Sequence, residues 1–421
     1  MIDRSIPPPT YSICKWEIPL PTDCCLKNGI PVIGLQDPNL TLIRLDIRLK
    51  AGSYYQKKQL LSHATIKLMT EGTQSMSSEQ IAEQLDYAGA YFEVISNRDF
   101  ATFSIYFPKK AAVKVIPIVG KLFTEAIFPE DKIAILKRNT AKNLAINMEK
   151  TSYLAYSHFI AHVFGKQHPY GISVQFEDID NFNREDIIDF YQQHFHAGNI
   201  RLFIAGNIDK DLLNLLDNTM GNIPCKNPNQ QNIIPVEPSE GKFFIEKENA
   251  VQSSICIGNR LFNYQHKDWI DMSILKTVLG GYFGSRLMTN IREKKGLTYG
   301  IYSQMVSFQM DGLFVIRTDV NKAQAQEAIH EIFEELSILQ REPVPQEELT
   351  LVKNYLYGTL LRNFDGVFSQ IDRTILLNDY HFSHDYWNQY TETIKNITPY
   401  RLLELAVLYL QSDNMIEIVA G

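Results

Sequence analysis

Apolar and polar residues alternate along several short segments of the chain, which is the pattern of a half-buried β-strand. The strongest example is residues 40–49 (LTLIRLDIRL), which end at Ala51-Gly52-Ser53. The turn sequence Lys27-Asn28-Gly29 predicts a hairpin whose second strand covers residues 30–35. The other strands predicted in this half are a hairpin at 91–107 that turns at Asn97-Arg98-Asp99, and a closing strand at 200–205.

The longer segments between these strands favour helices. Ser77-Ser78-Glu79-Gln80 has the polar pattern of a capping box and begins a predicted helix that continues to residue 88. The other helices predicted in this half cover residues 59–69, 109–126, 129–148, 151–164 and 183–194. Residues 1–22 are rich in proline and lack periodicity, so they predict an arm that lies on the surface or on a partner.

The second half repeats the order of elements in the first. Strands are predicted within residues 243–257, 297–303, 312–318 and 415–419, and helices at 269–279, 285–295, 323–339, 346–364 and 398–410. The residues repeat as well, because NIRLFIAG at 199–206 matches NMIEIVAG at 414–421, an offset of 215 residues. The helix after each hairpin begins alike, with Lys109-Lys110-Ala111 matching Asn321-Lys322-Ala323.

This repeat predicts an α+β fold made of two duplicated modules of about 210 residues. Each module is expected to be an antiparallel-rich mixed sheet with helices packed on one face. Residues 225–241 (CKNPNQQNIIPVEPSEG) are rich in Pro, Asn and Gln and predict the linker. The N-terminal module would span residues 1–224 and the C-terminal module residues 242–421.

Composition narrows the class of protein. The chain has 421 residues and a formal net charge of -7, which argues against a nucleic-acid or anionic-membrane partner because phosphate binding needs a basic face. No apolar stretch reaches the length of a membrane span, and the first residues lack the apolar core of a signal peptide. Five scattered cysteines predict free thiols in a reducing compartment, so we expect a cytoplasmic protein: Cys14, Cys24, Cys25, Cys225 and Cys256.

Residues 283–303 (FGSRLMTNIREKKGLTYGIYS) carry the most informative chemistry. Residues 285–295 predict a helix that ends at Gly296 after a cationic last turn. Arg292 would lie near the end of this helix, and Tyr299 would lie at the start of the strand that follows. A guanidinium and a phenol are both donors suited to a peptide carbonyl or a developing oxyanion.

This segment closely resembles a signature in the C-terminal half of the pitrilysin/insulinase (M16) family of zinc metallopeptidases, in its short, processing-peptidase-like branch. Similar landmarks extend over most of the chain: Ala51-Gly52-Ser53, Glu71-Gly72-Thr73, His168-Pro169-Tyr170-Gly171 and residues 184–206. The resemblance implies a LuxS/M16 metallopeptidase-like fold in which two half-molecules close like a clamshell around a chamber. It also implies that Arg292 and Tyr299 contact a peptide substrate around the scissile bond.

The zinc site that the family implies is degenerate in this sequence. Active members carry HxxEH on a helix and a distal Glu, because two His at i and i+4 and a carboxylate hold zinc while the intervening Glu acts as general base. With the register set by Glu71-Gly72-Thr73, the first His is His63, but Ile66 replaces the base and Lys67 the second His. The distal Glu aligns with Asn143. We therefore expect no metal and no cofactor in this chain.

His158 and His162 form the other candidate for a metal site, since they are spaced i, i+4 on a predicted helix. Neither is followed by a Glu in HxxEH spacing. A metallopeptidase with a relocated metal site at this pair is therefore one alternative function.

The leading hypothesis is a non-zinc subunit of a two-chain peptidase, inactive alone, that supplies Arg292 and Tyr299 to the zinc site of a partner. The partner would be a homologous zinc-bearing subunit, or a second copy of the chain in a homodimer. A peptide substrate would add as a strand to a sheet edge, near residues 89–94 in the zinc-bearing subunit. The main alternative is a catalytically inactive scaffold or peptide-binding subunit.

Overall fold

The computed structural model describes residues 19–228 and 233–421. The predicted N-terminal arm, except for residues 19–22, lies outside the described residues, as do Cys14 and residues 229–232 of the predicted linker. Cys24, Cys25, Cys225 and Cys256 are free thiols. No helix in the described ranges is long and apolar enough to cross a membrane.

Six strands from the first half of the described chain form one mixed sheet. They are β1 (Thr22–Cys25), β2 (Pro31–Gln36), β3 (Leu42–Leu49), β4 (Tyr91–Ser96), β5 (Ala101–Pro108) and β6 (Ile200–Gly206). Their order across the sheet is β1-β2-β6-β3-β5-β4. Only β2 and β6 run parallel, with Val32 opposite Leu202, and the other neighbours are antiparallel. The hairpins predicted around Lys27-Asn28-Gly29 and Asn97-Arg98-Asp99 are therefore confirmed.

Most helices of the first half also match the prediction. The described helices are α1 (Leu61–Leu68), α2 (Ser78–Tyr87), α3 (Ala112–Leu122), α4 (Glu130–Met148), α5 (Thr151–Phe164), α6 (Phe176–Asp180), α7 (Arg184–His194) and α8 (Lys210–Thr219). Ser77 caps α2 in the predicted capping box, because its side chain accepts from the Gln80 backbone N–H while the Gln80 side chain accepts from Ser77 N. The sequence did not predict α6 and α8.

The second half forms a five-stranded sheet with the same design. Its strands are β7 (Lys242–Ile245), β8 (Gln252–Leu261), β9 (Thr298–Ser307), β10 (Gly312–Asn321) and β11 (Ile416–Ala420), in the order β7-β11-β8-β10-β9. The single parallel pair is now β7 with β11. The described helices are α9 (Trp269–Gly280), α10 (Ala325–Arg341), α11 (Gln346–Asn363), α12 (Val367–Asp379), α13 (Tyr386–Asn396) and α14 (Pro399–Tyr409).

Apart from β1, which has no equivalent, the strands of the two sheets follow the same order, which explains the sequence repeat. The parallel pairs β2–β6 and β7–β11 are equivalent, and the hairpins β4–β5 and β9–β10 each lie at one edge. The matched residues at positions 109–111 and 321–323 lie at equivalent 3-10 turns, Lys109–Ala111 and Lys322–Gln324. The predicted α+β fold of two similar units is confirmed.

Each sheet carries a helix from the other half of the chain on its second face. Buried residues alternate along the strands, so Val32 faces the first core while Ile33 faces Val367 and Ile371 of α12. In the same way α5 of the first half packs on β8 and β11 of the second sheet. This reciprocal exchange covers both faces of each sheet and joins the two units through apolar surface.

Polar contacts fix the exchanged helices and the junction between the halves. Arg48 on β3 makes a bidentate pair with Asp379 at the end of α12, at 2.9 and 2.6 Å. At the centre of the molecule Tyr170 Oη donates to Asp99 Oδ1 at 2.6 Å. The backbone N–H of Gln309, in the β9–β10 turn, donates to Asp99 Oδ2 at 3.1 Å. Asp99 therefore links three loops from both halves of the chain.

Candidate functional site

Arg292 and Tyr299 are positioned by an unusual helix and the strand that follows it. The segment Met288–Lys294 is a π-helix rather than the α-helix that the sequence predicted, since its turns close five residues apart, as Lys295 N to Asn290 O does at 3.1 Å. Leu287, Met288 and Ile291 remain buried on one side of it. Gly296 then reverses the chain with a φ of +65°, a conformation that favours glycine. The wider turn and the reversal direct Arg292 back toward β9.

The structure brings Arg292 and Tyr299 into direct contact. Arg292 Nε donates to the backbone oxygen of Tyr299 at 3.0 Å. The guanidinium carbon lies 5.9 Å from the centre of the Tyr299 ring, and that side chain is 91% exposed. Arg292 Nη1 lies 3.9 Å from Glu293 Oε1, which is beyond hydrogen-bonding distance. The two donors thus share one rim of the C-terminal unit, as the sequence predicted from their spacing.

Phe283 is a third member of this rim that sequence reasoning did not single out. The Arg292 guanidinium carbon lies 4.5 Å from the centre of its ring, a cation–π distance. The ring is itself 61% exposed. Its position at the start of the quoted segment is the one signal in the sequence that could have indicated it. Phe283 therefore contacts the guanidinium in addition to the Tyr299 backbone.

Threonine hydroxyls fix the start of β9 beneath Tyr299. Thr298 Oγ1 donates to Asp319 O at 2.7 Å, and Thr318 Oγ1 donates to Gly300 O at 3.0 Å. The pairing of β9 with β10 shifts at this point, between Thr318 and Val320. A bulge of this kind re-aims a side chain at the end of a strand. The exposed Tyr299 ring is consequently carried on a rigid backbone.

The helix that would carry the zinc ligands is α1. His63 and Lys67 are exposed, one turn apart, whereas Ile66 is 1% exposed and belongs to the hydrophobic core. Burial against the walls of an adjoining cleft lowers the pKa of His63, and the nearby Lys67 ammonium lowers it further. Asn143 is exposed on α4, a helix that contacts α1.

These four residues do not fit a zinc ion. Ile66 is a hydrocarbon buried where a general base would be needed, and Lys67 places a cation beside the single imidazole. An amide such as that of Asn143 is a weak zinc ligand beside a carboxylate. Across the described residues, no group of three or more His, Cys, Asp or Glu side chains could hold a metal ion.

His158 and His162 share a face of α5, as predicted, in a setting that is aromatic. The His162 ring stacks on Phe243 with 3.9 Å between ring centres. Burial lowers the pKa of both histidines, and each also lies near the Lys166 cation. Within the described parts of the chain these two histidines have no third potential ligand.

Two of the sequence landmarks have structural roles. Gly52 lies against the β4–β5 turn, where a Cβ would be 2.4 Å from the carbonyl carbon of Asp99. His168 Nδ1 accepts from the backbone N–H of Tyr170 at 3.1 Å, which folds the loop that delivers Tyr170 to Asp99. These landmarks therefore hold the junction between the two halves rather than supplying reactive groups.

Comparisons with known proteins agree with this geometry. The family model described as the peptidase M16 inactive domain matches residues 181–356, a range that includes Arg292 and Tyr299. An uncharacterized zinc protease from Rickettsia felis is 25% identical over 342 residues, covering 80% of this chain and 82% of that protein. The chain is thus similar to peptidase M16 proteins over most of its length.

Solved structures show the same fold as this chain. A peptidase M16 inactive domain from Pseudomonas fluorescens matches with a TM-score of 0.89 at 20% identity, over 95% of this chain and 97% of that one. A protease from Helicobacter pylori matches with a TM-score of 0.87 at 16% identity, over 96% and 100% of the two chains. The family resemblance inferred from residues 283–303 is thus confirmed, while the roles of Arg292 and Tyr299 stay predictions.

Proposed function

We propose that this M16-like chain is the non-zinc subunit of a two-chain peptidase and is inactive alone. The observation that carries the proposal is the contact between Arg292 and the backbone of the exposed Tyr299, in a chain whose helix α1 carries donors that do not fit zinc. The match to the M16 inactive domain supports the same division of labour. The zinc ion of the partner would supply Lewis-acid activation of water.

In this proposal Arg292 holds a backbone carbonyl of the peptide. Its Nε is engaged by Tyr299 O, so the terminal nitrogens of the guanidinium remain available for the substrate. Tyr299 donates its phenolic proton in a hydrogen bond to the oxyanion that develops at the scissile carbonyl. Donors fixed before the reaction stabilise such charge without reorganising, and the rigid start of β9 provides that fixation.

The proposed partner is a zinc-bearing homologue rather than a second copy. A homodimer would join two α1 helices that both carry His63, Ile66 and Lys67, so neither chain would offer a fitting donor set for zinc. The free thiols of the described cysteines favour a reducing compartment, and we propose the cytoplasm.

Substitutions in the assembled pair test the proposal. Arg292→Ala or Tyr299→Phe should lower turnover by about 10²-fold, as loss of one oxyanion donor does. The matched controls Arg341→Ala and Tyr400→Phe alter an arginine and a tyrosine that are exposed on α10 and α14, and should leave turnover unchanged. Full turnover by both Arg292→Ala and Tyr299→Phe in an intact pair would contradict the proposal and favour an inactive scaffold.

A further inference from the structure

The cleft beside His63 is a second candidate site, distinct from the rim of Arg292 and Tyr299. It lies between α1, the β4–β5 turn and α5, and has a volume of about 440 Å³. That volume is within the range of small-ligand and peptide-end sites, roughly 300–1,000 Å³. Hydroxyl and amide side chains make up much of its wall, among them Gln59, Tyr153 and Tyr156.

This cleft is lined by basic residues, whereas a metal site is usually lined by acidic ones. None of the described residues that line the cleft is Asp or Glu. Arg98 and His63, in contrast, both line it. Lys67 adds a second cation, after Arg98, one turn from His63 on the exposed side of α1. A cation is therefore repelled from the cleft, and an anion is attracted to it.

Arg98 is the group that most needs an anionic partner. It is half-buried, and burial lowers its pKa. Its terminal nitrogens donate to the backbone oxygens of Pro169 at 3.1 Å and Ile172 at 2.8 Å, which satisfies two of the five N–H groups with neutral acceptors. The adjacent Asp99 attracts the guanidinium electrostatically, which raises the pKa of Arg98, while its two carboxylate oxygens accept hydrogen bonds from Tyr170 and Gln309.

The tyrosine hydroxyls of the wall complete a set of donors. Burial raises the pKa of Tyr156, so this phenol keeps its proton at neutral pH and can donate. Charge-assisted hydrogen bonds to a carboxylate are shorter and stronger than neutral ones, and arginine accepts a carboxylate in a planar fork.

We propose that this cleft binds a peptide carboxylate, either the C-terminal carboxylate of a peptide or an acidic side chain, through Arg98, His63 and the tyrosine hydroxyls. Of the residues aligned with the zinc site, His63 lines this cleft. This inference does not rest on the proposed role of Arg292 and Tyr299, and it can be tested on the isolated chain.

The test is calorimetric titration of the isolated chain with three N-acetylated tetrapeptides. Apart from one Glu in the third peptide, their side chains are neutral. One ends in a free carboxylate, one ends in an amide, and one ends in an amide but carries an internal Glu. At least one of the two carboxylate peptides should bind at least about tenfold more tightly than the uncharged amide, because charge-assisted hydrogen bonds are stronger than neutral ones; a tenfold ratio corresponds to about 1.4 kcal/mol. Comparison of the two carboxylate peptides distinguishes a chain end from a side chain.

An isosteric substitution supplies the matched variant. Gln59 Oε1 accepts from Gln56 Nε2 at 2.8 Å, and a carboxylate at this position still accepts that bond, so Gln59→Glu adds a negative charge to the cleft without removing a contact. This substitution should weaken the binding of the carboxylate peptide by at least about tenfold, because like charges in one site repel. Gln84→Glu, an exposed position on α2, adds the same charge outside the cleft and should leave binding unchanged.

Four results would overturn the assignment. One is that the uncharged amide peptide binds as tightly as the carboxylate peptides. Another is that Gln59→Glu binds the carboxylate peptide as tightly as the wild type does. Either result would show that the carboxylate plays no role in binding. Displacement of the peptide by an equal concentration of inorganic phosphate would show a general anion site instead. Stoichiometric uptake of Zn²⁺ that depends on His63 would show that the cleft has kept its preference for a cation.

Discussion

Ile66 and Lys67 are neighbours on α1 with opposite environments, and each excludes a different part of zinc chemistry. Ile66 is 1% exposed among apolar residues of the first core, so a carboxylate there would have to be buried. Lys67 is exposed and lowers the pKa of His63 from one helical turn away. The sequence indicated both replacements from register alone, and the structure adds that restoring one residue would not restore the site.

Ile66→Glu tests that statement. The variant should reduce the free energy of unfolding by at least about 2 kcal/mol, because an unpaired polar group would be transferred into an apolar core. Urea denaturation measures the change. Ile146→Glu on α4 is the control, since that side chain is 58% exposed and should tolerate the charge. Equal stability of the two variants would mean that position 66 already reaches water or a polar partner.

Other residues of the two sites could not be predicted from sequence. Phe283 and Arg98 are ordinary residues of a loop and a turn when only the sequence is considered. Phe283 meets Arg292 across a π-helix that the sequence predicted as an α-helix. Arg98 lines a cleft whose other walls come from residues distant in sequence. The pairing of Arg292 with Tyr299 was predictable because seven residues separate them and a glycine marks the reversal.

At the scale of elements, local patterns were informative where an element packs within its own half. The strands β2 to β6 and β8 to β11 follow alternation or apolar runs, and their positions match the prediction closely. Helices α12 and α13 were not predicted. The buried residues of α12, Val367 and Ile371, face Ile33 and Phe203 of the other half, so the partner surface of this helix cannot be seen in its local sequence. For the same reason, the sequence did not predict that α5 and α12 each pack on the sheet of the other half.

The pair between Arg48 and Asp379 holds α12 against the first sheet. Arg48→Ala would leave the Asp379 carboxylate, whose side chain is 7% exposed, without its bidentate partner. We expect a loss of about 3–5 kcal/mol in the free energy of unfolding, measured by urea denaturation, as for other broken buried pairs. The control Arg138→Ala removes an exposed arginine from α4 and should change stability little. A small effect of Arg48→Ala would mean that apolar packing alone retains α12.

For the whole molecule, Asp99 is the point where both halves meet. It accepts from Tyr170 of the first half and from the Gln309 backbone of the second. Burial raises its pKa in the folded chain, although the hydrogen bond from Tyr170 opposes the shift. A raised pKa means that the folded state binds this proton more tightly than the unfolded state does.

That linkage gives a pH dependence with a definite sign. The contribution of Asp99 to stability is fully present below its unfolded pKa of about 4 and is lost as the pH rises through the raised folded value. Asp99→Asn removes the titration. The free energy of unfolding of the wild type minus that of Asp99→Asn should therefore fall as the pH rises from 4 to 7, measured by urea denaturation. A difference that stays constant or increases with pH would contradict this account of the junction.

Peptide hydrolysis by separate and mixed subunits tests the central claim most directly. The assay compares this chain alone, a homologue with an intact HxxEH helix alone, and an equimolar mixture, each with zinc present. The account predicts no metal-dependent hydrolysis by this chain alone and a gain of about 10²-fold or more in the mixture over the homologue alone. Metal-dependent hydrolysis by this chain alone, or a mixture no more active than the homologue, would contradict it.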